Sequence, residues 1–254
     1  MEYFVDKDSI VRKIWGNSDT ILFIFAGAAA EFALNKAVDW LYFTGKLPTD
    51  PLGRLFSTVS YARTIVFAEH DAALRSIDSI AAIHKEVEQG RGFKIPDWAY
   101  RDVLFMLIDY SIRSYELLER KLSITEKEEV FNVFYKVGNR MGLQGLPQNF
   151  TAWEIMRQEH LEQNMVYSHH TVDLFEQYKK HLGAFRYRIM LESQLLVIPV
   201  EVRKMLSMRR FTVLAPLIAG YKICKSMNLD SFIKSVLIPE KYKKEIDALN
   251  IIPA

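Results

Sequence analysis

The residue in this 254-residue chain best suited to chemistry is a histidine on an apolar helical face. Steps of three and four place Ile77, Ile80, His84 and Val87 on one side of a helix. An imidazole there needs a partner, because a buried polar group without one is costly. A satisfied core histidine is one reading. A neutral imidazole offered to iron as the axial ligand of a haem is the other. The preceding stretch repeats the pattern. Arg54, Thr58 and Tyr61 are spaced i, i+4, i+7, with Leu55, Val59 and Ala62 beside them. Arg54 can grip a carboxylate such as a haem propionate in bidentate fashion. Thr58 can hydrogen-bond a small bound ligand. The plainer alternatives are an arginine paired to an acidic side chain and a threonine bonded to its own helix.

The other chemistries fail on spacing. No Glu-x-x-His occurs, so the paired motif of di-iron bundles is missing. Neither His-Glu-x-x-His nor Gly-x-Ser-x-Gly occurs. His169 and His170 are adjacent and point about 100° apart on a helix. His70 lies beside Glu69, and His160 lies in the polar stretch from Arg157 to Asn164. The single cysteine, Cys224, excludes an internal disulfide and a cysteine metal cluster, which fits a reducing compartment.

The elements that must position these residues are helices. A first long helix is expected from Ile21 to Phe43, capped by Thr20 and closed at Gly45. Asp50 and Pro51 read as cap and first-turn proline of a helix over Leu52–Ala68. Further helices are expected over Asp71–Gln89, Trp98–Lys121, Thr125–Gly142, from Thr151 onward and over Ser168–Arg188. Shorter ones start at Pro199, Thr212 and Pro239, and Thr125/Glu128 and Thr151/Glu154 have capping-box spacing. The sum is an all-α single domain over 1–254 of roughly eight to ten helices around a haem or apolar-ligand pocket. The motif-bearing core spans about 20–160, and C-terminal helices fill 168–250.

Half of the residues are hydrophobic and the net charge is +2. No basic block suggests a nucleic-acid partner. Ile21–Ala30 is too short to span a bilayer, and the first residues do not form a signal peptide, so a cytoplasmic location is expected. The basic segment Arg203, Lys204, Arg209, Arg210, read as a helix, could rest on a membrane surface.

The run Phe25-Ala26-Gly27-Ala28-Ala29, the segment Asp50-Pro51-Leu52-Gly53-Arg54-Leu55-Phe56-Ser57-Thr58 and Ile83-His84-Lys85-Glu86-Val87 together resemble the MpaB oxygenase and rubber oxygenase (latex clearing protein) family. The resemblance implies an all-helical fold around haem b, with His84 as the axial iron ligand. It also implies Arg54 and Thr58 beside the haem, and Tyr61 lies on the same face. Family members cleave carbon–carbon double bonds of isoprenoid chains with dioxygen. A small apolar, isoprenoid or lipid-like substrate is therefore expected, with Asp39 or Glu31 assisting proton movement. Two positions depart from the family. Ser57 stands where rubber oxygenases can carry a second haem-ligating lysine, and Asn35-Lys36 stands where many members have His-Pro. A non-catalytic helical haem- or lipid-binding protein and a peripheral membrane protein are the alternative readings.

Overall fold

The computed structural model describes residues 2–45, 49–216 and 218. Short polar caps start the first helices. Ser9 accepts from the Val11 amide (3.0 Å) at the head of α1, Ile10–Trp15. Asn17 accepts from the Asp19 and Thr20 amides (2.9 and 3.2 Å) and opens α2, Ser18–Phe32. Asn17 thus takes the capping role expected of Thr20, whose side chain is buried inside the first turn.

Helix α2 is apolar nearly all round, so it lies inside the molecule. Its main neighbour is α6, Asp97–Leu118. Asn17 reaches Glu119 and Asn35 reaches Asp102, so the two helices run antiparallel. They approach closely at Gly27, where a Cβ would stand 2.2 Å from the Tyr110 ring. Tyr110 is fully buried and its hydroxyl is fixed on Glu31, so the ring has little room to yield. Gly27→Ala should therefore fall at the upper end of overpacking costs, about 3 kcal/mol, in a urea titration. A loss under about 0.5 kcal/mol would show that the helices separate freely there.

The expected helix over Ile21–Phe43 is two helices. After α2 the chain turns, and α3 covers Asp39–Phe43. The break has a physical cause in Asn35, whose side-chain oxygen accepts from the Ala37 amide (2.8 Å). Leu34 O accepts from Val166 N (2.7 Å) and Lys36 N donates to Asn164 O (3.0 Å). Backbone groups that would continue the helix are satisfied instead by the segment at residues 164–166. That segment supplies one of two isolated β-bridges, Asn35 with Met165; the other joins Tyr3 and Glu69.

Helix α4, Pro51–Phe67, starts on the Asp50 cap as expected, with Asp50 accepting from Gly53 N at 3.1 Å. Two residues later α5 begins and runs His70–Arg91, ending at left-handed Gly92 (φ 76°). Helix α7, Ile124–Arg140, is opened by a capping box of Ser123 and Glu126, two residues before the expected pair. Asn149, not Thr151, caps α8, Phe150–Gln163. Helix α9, His169–Val197, is bent at Gly183 (φ 73°, ψ 165°), and α10 covers Val200–Met205.

These ten helices form an all-α fold with no strand among the described residues. The main core joins α1, α2, α4, α6 and α7, and a smaller cluster packs Leu174 and Tyr178 of α9 against Ala29, Ala33 and Leu52. The basic stretch is not one helix. Helix α10 stops at Met205, Ser207 has φ 53°, and Arg209 pairs with Glu192 of α9. The expected helices from Pro239 and over most of 212–227 lie outside the described residues, as does Cys224.

Candidate functional site

The link Ala68–Glu69 is too short for anything but a hairpin, so α4 and α5 run antiparallel. Arg54 lies thirteen residues before the end of α4, and His84 lies fourteen after the start of α5. The hairpin therefore sets them opposite one another. The Arg54 guanidinium is close enough to act on the imidazole. Burial first, and this charge second, hold His84 below its ordinary pKa. The ring is thus neutral near pH 7, with a lone pair free.

Neither ring nitrogen of His84 makes a hydrogen bond among the described residues, and Nδ1 is buried. The Ile80 carbonyl one turn back is near enough to favour the protonated ring, though its geometry falls short of a formed bond. Tyr100 of α6 stands edge-on to the imidazole, with centroids 5.2 Å apart. Its hydroxyl is held by Glu88 (3.1 Å), which also accepts from Ile95 N (2.8 Å). Burial and Glu88 push the Tyr100 phenol well above its ordinary pKa, so it stays neutral.

Arg54 is half-buried and makes no ion pair among the described residues; its one side-chain contact is a long bond to Ser57 (3.5 Å). Burial lowers its pKa, opposed by the nearby Tyr61. A half-buried cation with no carboxylate in ion-pair distance among the described residues favours an anionic ligand group. Thr58 donates its hydroxyl to the Arg54 carbonyl (3.1 Å), so only its oxygen lone pairs face outward. Tyr61 is 37% exposed. Asp39 lies at the first turn of α3, 2.7 Å from Arg91 Nη2. Arg91 is seven residues beyond His84, on the same face of α5, and its guanidinium sits 4.1 Å from the Trp40 ring centroid.

The apolar face of α5 is left unfilled beside these groups. Only Ile77 of the expected stripe is buried; Ile80, His84 and Val87 are partly exposed, and Ile83 is 40% exposed. Leu55 and Phe56 of α4 are likewise only partly buried. Two surface depressions lie elsewhere, one beside Phe4, Glu128 and Lys136, the other beside Tyr42, His170 and Asp173. Among the described residues no three His, Cys, Asp or Glu side chains could hold a metal ion together. One histidine with an orphaned buried nitrogen, a cation without a counterion and an open apolar face fit a group that brings its own metal and its own carboxylates.

Glu31 is not part of this face. It is fully buried and accepts from Arg157 Nη2 (2.6 Å) and the Tyr110 hydroxyl (2.8 Å), with His160 Nε2 at 3.0 Å. Arg157 also donates to Asp109 (2.9 Å). Burial opposes the charge, yet Arg157 and His160 prevail and draw the Glu31 pKa down to about 2. Such a carboxylate cannot take up a proton near neutrality. Sequence reasoning missed this network, although a signal existed. Trp153, Arg157, His160 and Leu161 share one face of α8, so two charged residues sit on an otherwise apolar stripe.

No helix among the described residues is long and apolar enough to cross a membrane. A comparison with protein families matches residues 13–230 to the family described as ER-bound oxygenase mpaB/B'/Rubber oxygenase, catalytic domain. The match takes in α2 through α10. No curated protein and no solved structure matches the chain.

Proposed function

Since the chain belongs to the family of ER-bound oxygenase mpaB/B' and rubber oxygenase catalytic domains, we propose that it is a haem b-dependent oxygenase that uses dioxygen on an apolar, isoprenoid- or lipid-like substrate. The observation that carries this reading is His84, a neutral imidazole that among the described residues has no hydrogen-bond partner, opposite an Arg54 that among them makes no ion pair, on a partly open apolar face.

Haem b, when bound, supplies an iron at which dioxygen is activated. His84 would hold the iron of that group through a neutral imidazole nitrogen. Arg54 would bind a carboxylate of the group, and its charge helps keep the imidazole neutral. Thr58 presents its oxygen to a donor on the same side, and Tyr61 lies one turn further along. Leu55, Phe56, Ile80 and Val87 offer apolar surface and exclude water from an apolar chain. Asp39, paired with Arg91 and partly exposed, would be the acidic side chain that assists proton movement.

The protein purified from cells supplied with haem should show a Soret band, and it should consume oxygen when given a polyunsaturated isoprenoid. A colourless protein from the same cells would overturn the cofactor. A coloured protein without oxygen uptake would leave a binding module and overturn the catalyst.

A further inference from the structure

The densest set of ionisable groups lies away from the α4–α5 face, buried between α2, α6 and α8. Both ring nitrogens of His160 face carboxylates there: Nε2 is 3.0 Å from Glu31 Oε1, and Nδ1 is 2.7 Å from Asp102 Oδ1. Ionised carboxylates only accept hydrogen bonds, so both contacts are favourable only for a ring carrying two protons. The Nδ1 approach is bent away from an ideal hydrogen bond, but a bare lone pair at that distance from a carboxylate would be repelled. Neither acid is free to supply the missing proton. Glu31 already accepts from Arg157 and Tyr110, and Asp102 accepts from Asn35 (3.4 Å) and Asn164 (3.2 Å). With the ring charged, Glu31, Asp102 and Asp109 meet Arg113, Arg157 and His160, and the network balances.

We infer that His160 is a proton-held latch: as a buried imidazolium it ties α8 to α2 and α6 and, through Asp102 and Asn35, fixes the turn at residues 33–38 that leads into α3. The ring meets Glu31 from α2 and Asp102 from α6, and the charged groups behind them are Arg157 from α8 and Asp109 from α6, with Tyr110 on Glu31. Lys36 reaches the Gln163 carbonyl at the exposed edge. Asp102 binds the two asparagines that shape the turn. Asn35 caps the Ala37 amide, and the backbone of Asn164 accepts from Lys36 N. A neutral ring turns one of its two carboxylate contacts repulsive, and the strain falls on Asp102 and this turn.

The sign of the pH dependence follows. Burial opposes the charge, but Asp102 and Glu31 outweigh it and raise the His160 pKa above 6.5. A group raised in the folded state contributes fully below its unfolded pKa, and the contribution is lost as pH rises through the folded value. The latch is therefore fully closed below pH 6.5 and opens as pH rises through the raised value. It stands whatever the chain binds.

Histidine-labelled full-length protein read by NMR tests this directly. The His160 ring should carry protons on both nitrogens at pH 7, with a titration midpoint above 6.5. Hydrogen exchange at residues 33–38, corrected for intrinsic rate, should quicken at least tenfold as pH passes that midpoint. His160→Gln should remove this pH step and leave the turn weakly protected at every pH. A neutral ring at pH 7, or protection of 33–38 equal on both sides of the midpoint, would overturn the latch. Both readings come from the unmodified protein, so they decide the matter even where the variant fails to fold.

Discussion

Arg157→Met is expected to destabilise the fold by about 3–5 kcal/mol, because it removes the buried cation shared by two buried carboxylates. Arg157 is 4% exposed and spans Glu31 and Asp109, while Tyr110 and His160 also converge on Glu31. Methionine keeps much of the volume, so the loss reads charge rather than packing. Arg113 also pairs with Asp109, at 2.6 Å, but its side chain is 41% exposed. Solvent screening should hold Arg113→Met to about 1 kcal/mol or less. Urea denaturation of both variants checks the contrast, and an Arg157→Met loss below about 1 kcal/mol would refute the claim. The network also has an acid limb. The Glu31 pKa is lowered from 4.5 to about 2, so its contribution is whole above 4.5 and drains away as pH falls toward 2.

The second large effect is on the cofactor rather than the fold. His84→Ala should abolish the Soret band, because no other histidine is placed to replace it. His70 is at the far end of α5 beside Asp71, His160 is locked between carboxylates, and His169, His170 and His181 lie on α9. The fold itself should barely respond. His84 makes no hydrogen bond among the described residues and is only partly buried, so the cofactor-free variant should stay within about 1 kcal/mol of the parent. Circular dichroism melts beside absorption spectra separate the two outcomes. A variant that keeps its band returns His84 to the role of an ordinary helix residue.

Local rules were legible wherever one residue settles an element. Asp50-Pro51 starts α4 because the cap and the fixed proline φ act within one turn. Gly92 ends α5 because its left-handed backbone excludes most other residues. Where two frames compete, packing decides. Both Ser123/Glu126 and Thr125/Glu128 have box spacing, and the former forms. Asn149 outcompetes Thr151 while Phe150 stacks on Trp153, with centroids 5.1 Å apart. The break after Phe32 was hidden because its partners, Asn164 and Val166, lie about 130 residues away in sequence.

The same separation explains the candidate site. His84, Arg54 and Thr58 are readable because one hairpin sets them opposite each other, and helical periodicity already placed them on facing stripes. The charge network is assembled from three helices, and its Arg157 and His160 look like surface residues among Gln158, Glu159 and Glu162. Only the burial of Trp153 and Leu161 on the same side betrays them.

The bend in α9 has a consequence of its own. Nothing beyond its own chain neighbours lies within 4 Å of where a side chain would begin at Gly183, so crowding does not keep the position as glycine. What holds it is handedness, since φ of 73° with ψ of 165° suits glycine and mirror-image residues but not ordinary L-amino acids. A D-alanine introduced by chemical ligation would sit there unopposed, whereas every L-residue, from alanine to tryptophan, would meet nearly the same penalty. At this point the route of the polypeptide is written in stereochemistry and is indifferent to size.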